Sequence, residues 1–501
     1  MNKPLKWVAV LFVATLSACG GNQNGNTEKA LQSTQQVRHL RKSLYSLKAE
    51  KDMADLKKAL GVMRAMDCDS TSSWYYQGAI HWVPDTIPNN PFCASYNYPK
   101  DLKEAWDNCT HTKSKKEVIH FLVWHRLYIY HFEKIVRKLS GDPNFSLPYW
   151  GYTDTVNAQQ SRTMPAIYRD TKSSLYEKAR LDSLNNGAPL HGEILEFIDL
   201  KNLFDNTTYA GFNKNMNAAP HGAMHDYIGY GNSGAGKGMF NPIKQKFDKG
   251  GGLMQDVKTA AYDPIFWVHH ANIDRVWQKW TNTNNGQEVT LAELKSVPWP
   301  YIFFDENGKK VQYTMEEVMK ILYTMDYDYD DTPVQGKPAN VLKAAPLQLQ
   351  AKNALTSQSP NVVVNKGVTN FTVANNAAKT NLLKSNANQK VFMNVTVSYT
   401  KAPKGGYEVF LNLPKGAVAN SKSDYFSGFM TFFGADHHSG MDDMKMDGMP
   451  AKMQETFTFE ISKEFNLSKA GGQPNFNISI KKYGGAPQEE LKVENVSVIV
   501  Q

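Results

Sequence analysis

The run CTHTKSKKEVIHFLVWHR, residues 109–126, holds three histidines and a cysteine, and raises the question of which imidazole could hold a metal. Two further runs raise the same question. In PHGAMHDYIG, His221 and His225 are four residues apart. On a helix that spacing puts both imidazoles on one face, within reach of one metal. In AAYDPIFWVHHANIDRVWQKW, the adjacent His269 and His270 cannot point the same way on a helix. One can face a metal while the other packs or hydrogen-bonds elsewhere. Asp274, four residues after His270, is placed for a supporting role. FLVWHRLYIYHFEKIVRKL reads as an amphipathic helix with Leu127, Phe132, Ile135, Val136 and Leu139 on the core side. His120 and His131 lie roughly 140° and 120° around such a helix from His125. Only one of the three can face a buried metal, and the local pattern leaves open which. Imidazoles without a cysteine cluster suit copper or zinc better than a thiolate site. The chain lacks the HExxH pattern of a single-zinc protease. His39, in a polar N-terminal stretch, reads as a solvated surface residue.

These residues need scaffolding, and 501 residues allow two to four folding units. The formal charge of +8 is spread along the chain without a basic block, which argues against a nucleic-acid partner. MNKPLKWVAVLFVATLSACGG has a basic start and a short apolar run, read as a signal-peptide core over residues 1–19. The small residues before Cys19 resemble a bacterial lipobox, so Cys19 is the expected lipidated residue, with an ordinary cleaved signal as the alternative. The expectation is an exported protein tethered by lipid to the bacterial outer membrane, with a soluble body. Residues 20–36 read as a tether, and residues 37–66 as a helix with Leu44, Leu47, Leu56, Leu60 and Met63 among charges. The histidine-rich region runs to 285, and a short aromatic-rich segment fills 286–335, with a turn at Asp305–Gly308 between two strands. Residues 336–388 read as a linker. Beyond it, VFMNVTVSYT, YEVFLNL, ETFTFEIS, FNISIKK and LKVENVSVIV alternate as strands and read as a β-sandwich over 389–501.

DPIFWVHHANIDRVW closely resembles the second copper signature of the tyrosinase, catechol oxidase and polyphenol oxidase family. The resemblance makes His270 the ligand of the pair, joined by His221 and His225 from PHGAMH. FLVWHRLYIYHFE resembles the first signature and gives His125, with Glu133 at the family's glutamate position. SWYYQGAIHWVP resembles the stretch that carries another ligand, His81. The family usually places the sixth ligand nine residues before His125, where this chain has Lys116. Cys109-Thr110-His111 resembles the Cys-x-His element of fungal members, whose cysteine is thioether-linked to that ligand. His111 is therefore expected on the first copper, linked to Cys109, with His120 as the rival and Cys68 paired to Cys93. WPYIFFDENGKKVQYT…MDYDYDD resembles the segment after the copper domain of plant polyphenol oxidases, including Tyr327 and Tyr329. The plan implied is a mainly α copper domain with a four-helix bundle core over 37–285, then a β-sandwich C-terminal domain of the kind that shields the site in latent plant forms.

The resemblance implies two copper ions, O2 and a phenolic small molecule, with catechols oxidised to o-quinones and O2 reduced to water. His269, Glu133, Asp274 and Arg275 are supporting candidates, each also reading as a plain helix salt bridge, and Phe266 is expected to pack on the ligand imidazoles. Family members that hydroxylate monophenols carry a glutamate and an asparagine that orient a water. Here those positions are Asn217 and Gly222, which favours diphenol oxidation. Val257 aligns with the gate residue over the first copper and is small, and Asp226 is expected near the substrate entrance. The alternatives are a tyrosinase with full monophenolase activity, a dicopper O2 carrier, or a copper-storage protein. For the last, the Met-rich HHSGMDDMKMDGM at 437–449 would be the point, since soft thioethers and imidazoles bind Cu(I).

Overall fold

The structure is a computed structural model. It describes residues 39–82, 93, 104–105, 109, 117–229, 239–241, 246–248, 252–283, 286–332, 354–365, 367–374, 390–401, 403, 406–433, 452–470, 475–483 and 490–500. The expected signal, tether, His111 and the Met-rich run 437–449 lie outside them.

The chain enters as β1 (His39–Arg41), followed by α1 (Glu50–Ala65) and α2 (Trp74–His81). Ser73 starts α2 by accepting from the Tyr76 N–H at 3.0 Å, the bond that satisfies an orphan donor at a helix start. α3 (Phe121–Ser140) is stopped by Gly141 in the left-handed region at φ 79°. α4 (Tyr209–Met216) leads into a wider turn, Asn217–Gly222, which contains Pro220 and feeds α5 (Ala223–Gly229). α6 (Ile265–Thr281) starts behind Pro264, where the Asp263 carboxylate accepts from the Ile265 N–H at 3.0 Å. Arg180 grips that same carboxylate with both ends of its guanidinium, fixing where the helix begins. α2 comes so close to Tyr262 that a Cβ on Gly78 would overlap its ring.

Residues after the helical domain form a hairpin of β2 (Tyr301–Phe304) and β3 (Lys310–Tyr313), then α7 (Met315–Thr324) and β4 (Tyr327–Tyr329). The turn at Asp305–Gly308 closes the hairpin as expected, with Gly308 at φ 77°. β4 pairs in parallel with β1, so the segment is stitched to the start of the domain.

The sandwich follows. β5 (Ala354–Gln358), β6 (Val362–Val364), β7 (Val368–Ala374), β8 (Val391–Tyr399), β9 (Gly406–Leu411), β10 (Phe426–Thr431), β11 (Met453–Glu460), β12 (Asn475–Tyr483) and β13 (Leu491–Val500) make two sheets. One runs β11-β8-β13-β5 with β6 also on β13, and the other runs β10-β9-β12-β7. Val395, Val409, Ile478 and Val496 bury between them as the alternate residues of their strands. A helix, α8 (Ser462–Ala470), follows β11. Phe410, Phe426 and Phe429 belong instead to the apolar core of the helical domain, so the two cores meet. Among the described residues no helix is long and apolar enough to cross a membrane.

Three expectations need correction. The stretch 37–66 is helical only from Leu47, because residues 39–41 are claimed by β4 before any helix can start. His39 is consequently buried rather than solvated, with Asp326 at 3.7 Å, while Leu47 is 83% exposed. The supposed linker contains β5, β6 and β7, so the sandwich begins near residue 354, not 389. Those strands are short and polar on one face, and their pairing with β12 and β13 carries them.

Candidate metal centre

Each histidine-bearing helix delivers its imidazole with one ring nitrogen already engaged. The Nδ1 of His81, at the end of α2, lies 3.0 Å from the Val257 carbonyl. The Nδ1 of His125 on α3 lies 2.8 Å from the Phe121 carbonyl one turn back. The Nδ1 of His221 lies 3.1 Å from the Asn217 carbonyl, and that of His225 on α5 lies 2.8 Å from the Met254 carbonyl. A carbonyl can only accept, so each Nδ1 carries the proton and donates it. The tautomer is thereby fixed and Nε2 keeps its lone pair for a cation. Pro220 and the wide turn before α5 account for the offset that brings His221 and His225 to one centre.

On α6 the adjacent pair divides the work. His269 meets the Tyr152 hydroxyl at 2.8 Å through Nδ1, and the two rings stack. His270 lies ring over ring on His125 at 4.3 Å between centroids, with Phe266 4.2 Å away. Burial, then the imidazoles of His125, His221, His269 and His225, hold His270 well below the usual histidine range, hence neutral. Phe266 also reaches His81 at 5.0 Å, as expected of a ring packed on these imidazoles.

The result is two buried donor groups. His221, His225, His269 and His270 bring ligand atoms within 4.8 Å of one another, and so do His81, Cys109 and His125. The Cys109 sulfur is 3.1 Å from His81 Nε2 and 3.9 Å from His125 Nε2. Its expected partner His111 lies outside the described residues. Cys68 and Cys93 form a disulfide. His120 is turned away from the centre, with its two nitrogens on the Tyr301 hydroxyl (2.9 Å) and the Val297 carbonyl (2.6 Å). Burial pushes it down to about 4. His131 meets the Tyr313 hydroxyl at 3.0 Å and stacks on Phe303, and burial pushes it down to about 3. Both are packing residues.

Glu133 and Asp274 bond to arginines and tyrosines rather than to the ligand imidazoles. Glu133 accepts from Arg41 at 2.7 Å and from Arg137. Asp274 accepts from Arg41 at 3.1 Å, from the Tyr327 and Tyr329 hydroxyls at 2.6 Å each, and from Arg126. Burial alone would raise the Asp274 carboxyl, but Arg126, Arg41 and the two hydroxyls outweigh it and keep it low. Arg275 pairs with Asp331 and Asp154. The ion-pair reading therefore holds for Glu133, Asp274 and Arg275. Sequence reasoning missed Arg41, the buried hub, because a lone arginine in a polar stretch carries no signal of what will surround it.

Of the substrate-side candidates, Val257 is buried and serves His81 through its carbonyl. Asn217 is half-buried and serves His221 the same way, and Asp226 is half-buried beside His225. Gly222 faces the sandwich. Phe433, just past β10, stacks on His225 with ring centroids 4.2 Å apart and lies 5.7 Å from His221. Around it the domains join through Thr431 Oγ1 to the Ala218 carbonyl (3.0 Å), Lys214 to Thr458 (2.6 Å), and the Thr207 N–H and hydroxyl to Glu460 (3.0 and 2.7 Å).

Neutral imidazoles with one thiol and no carboxylate in either group make a donor set that fits copper better than calcium or magnesium. Two such groups back to back on helices define a binuclear, histidine-ligated metalloprotein. The comparisons name the family. Residues 71–194 and 177–283 match the common central domain of tyrosinase. A tyrosinase of Hahella sp. (strain CCB-MM4) is 27% identical over 304 residues, 56% of this chain and 60% of its own length. The latent polyphenol oxidase of Prunus armeniaca is 25% identical over 422 residues, 75% of this chain and 63% of its own. The chain thus spans about three fifths of the length of these relatives. Solved structures share the fold: latent apple tyrosinase has a TM-score of 0.59 at 17% identity, covering 92% of this chain and 97% of that one. Latent aurone synthase has a TM-score of 0.61 at 17% identity, covering 93% and 90%. Residues 71–283 thus form a tyrosinase-type central domain, similar to those of tyrosinases and polyphenol oxidases, a family whose cofactor is a pair of copper ions.

Proposed function

We propose that this chain oxidises o-diphenols to o-quinones with O2 as the electron acceptor. His81, His111 and His125 would hold one copper, and His221, His225 and His270 the other. The bound pair would supply the electron transfer between phenol and O2. The protein's part is to present neutral imidazoles, and the observation that carries the reading is the set of four Nδ1–H bonds to carbonyls that aim Nε2 at two sites. His269 would orient through Tyr152, and Phe266 would keep water off the rings. Gly222 and Asn217 provide no carboxylate–amide pair to orient a deprotonating water, which favours diphenols over monophenols. Asp226 would favour amine-bearing phenols. Comparing dopamine with 4-methylcatechol tests it, and equal kcat/KM for the two would remove the idea.

The decisive experiment is O2 uptake by the copper-loaded chain after cleavage between the two domains, offered a catechol and then a monophenol. Uptake with catechol alone is expected. Uptake with both would make the chain a full tyrosinase, and uptake with neither, despite two bound coppers, would favour an O2 carrier or a copper store. Before cleavage activity should be low, because Phe433 covers His225. The link between Cys109 and His111 predicts a peptide lighter by two hydrogens than its unlinked mass. Lipid attachment at Cys19 predicts incorporation of a labelled fatty acid that Cys19→Ala abolishes, with the chain exported to the bacterial membrane.

A further inference from the structure

Gly222 stands between His221 and the C-terminal domain. A Cβ built there would lie 3.0 Å from Thr431 Oγ1, 3.1 Å from the Asn217 carbonyl oxygen and 3.3 Å from Phe433 Cβ. Two of those three atoms belong to the sandwich, and both belong to the strand end that covers the histidines. Contacts that short mean that an added carbon must push its neighbours by a few tenths of an ångström. The Thr431 hydroxyl uses the space to donate to the Ala218 carbonyl at 3.0 Å, and the Phe433 ring continues past it onto His225 at 4.2 Å. The φ of Gly222 is not among the positive ones, so the backbone here does not demand glycine. What demands it is the neighbour from the other domain.

We propose that Gly222 is the seat of the C-terminal plug: the bare backbone beside His221 is what lets Thr431 and Phe433 settle over the centre. The inference rests on the reading of the sandwich as a shield and adds the residue that decides whether the shield fits. On this reading a side chain at this position and the plug compete for the same space, so substrate access and self-blocking meet at one residue.

The test uses the full chain in two readouts. In the first, 4-fluorophenylalanine replaces Phe433 in the metal-free protein, and the fluorine shift reports stacking on His225. Gly222→Ala should move the resonance part of the way toward the free amino acid, and Gly222→Asn all of the way. In the second, catechol oxidation by the uncleaved, copper-loaded chain should rise severalfold in Gly222→Asn, as it should in Phe433→Ala. A fluorine shift unchanged in both Gly222 variants would overturn the seat. If Gly222→Asn does not fold, the unchanged shift of Gly222→Ala alone would overturn it, since one added carbon must already move Thr431 or Phe433. If Phe433→Ala gives no gain in oxidation, the shield reading fails, and the fluorine shift still decides the seat.

Discussion

The histidine centre is held from two sides by different physics. Behind α3 and α6 lies a closed ionic network in which Arg41, fully buried, bridges Glu133 to Asp274 while Tyr327 and Tyr329 complete the aspartate's shell. In front lies the sandwich, joined by hydrogen bonds of Thr431 to Ala218, Lys214 to Thr458 and Thr207 to Glu460, by an ion pair of Lys463 with Asp205, by a phenylalanine pair at Phe197 and Phe429 with centroids 4.3 Å apart, and by the Phe433 stack. The rear network cannot open without stranding buried charges. The front ion pair is different, because the side chains of Lys463 and Asp205 are 40% and 48% exposed and water can take over each if they part. The contrast teaches that the ligand helices are held from behind by buried charge and met in front by apolar rings and partly exposed polar groups.

The contrast is broken most severely from behind. Arg41→Ala removes the cation between two buried carboxylates, leaving Glu133 to Arg137 and Asp274 to Arg126 and the two hydroxyls, and should cost about 3–5 kcal/mol in urea unfolding. Tyr329→Phe removes one hydroxyl from the Asp274 shell and should cost about 1–3 kcal/mol by the same measurement. In front, Phe433→Ala forfeits a stack worth about 0.5–1.5 kcal/mol beyond its buried area, yet should raise catechol oxidation by the uncleaved chain. If Arg41→Ala proves no more damaging than Phe433→Ala, the two sides are not different in kind.

The smallest effect is a pH dependence confined to the front. Glu408 on β9 is buried, with Lys481 of β12 at 2.9 Å and the carboxylates of Glu196 and Glu193 nearby from the helical domain. Burial pushes Glu408 up to about 7, Lys481 opposes, and Glu196 adds to the rise. A carboxyl raised on folding is neutral in both states at low pH, so its contribution is intact below the ordinary glutamate value. It is lost as pH rises through about 7, where burying it means burying a charge beside Glu196. Thermal stability of the full chain should therefore fall between pH 4.5 and about 7. Glu408→Gln should flatten that slope, and an unchanged slope would assign it to other groups.

How much of this could be read from residues depends on the kind of constraint. The ligand helices were legible because copper needs imidazoles at helical spacing: His221 and His225 one turn apart, and His125 on an amphipathic run. Angle showed that only one of His120, His125 and His131 could face a buried metal, the resemblance picked His125, and the structure shows Tyr301, Val297 and Tyr313 taking the other two. The long strands β8 and β13 were legible by alternation. β1 and β5 to β7 were not, since each is a few residues whose strand character comes from a partner far along the chain. Arg41 and Phe433 were invisible for the same reason. Their roles lie in who meets them across 92 residues or more in one case and across the domain boundary in the other.

The most direct measurement is the copper content of the purified, metal-reconstituted chain by native mass spectrometry, beside His225→Ala and His120→Ala. Two coppers in the parent, one in His225→Ala and two in His120→Ala are the predicted results. Two coppers retained in His225→Ala, or one lost in His120→Ala, would contradict the assignment of the two histidine groups as a binuclear centre.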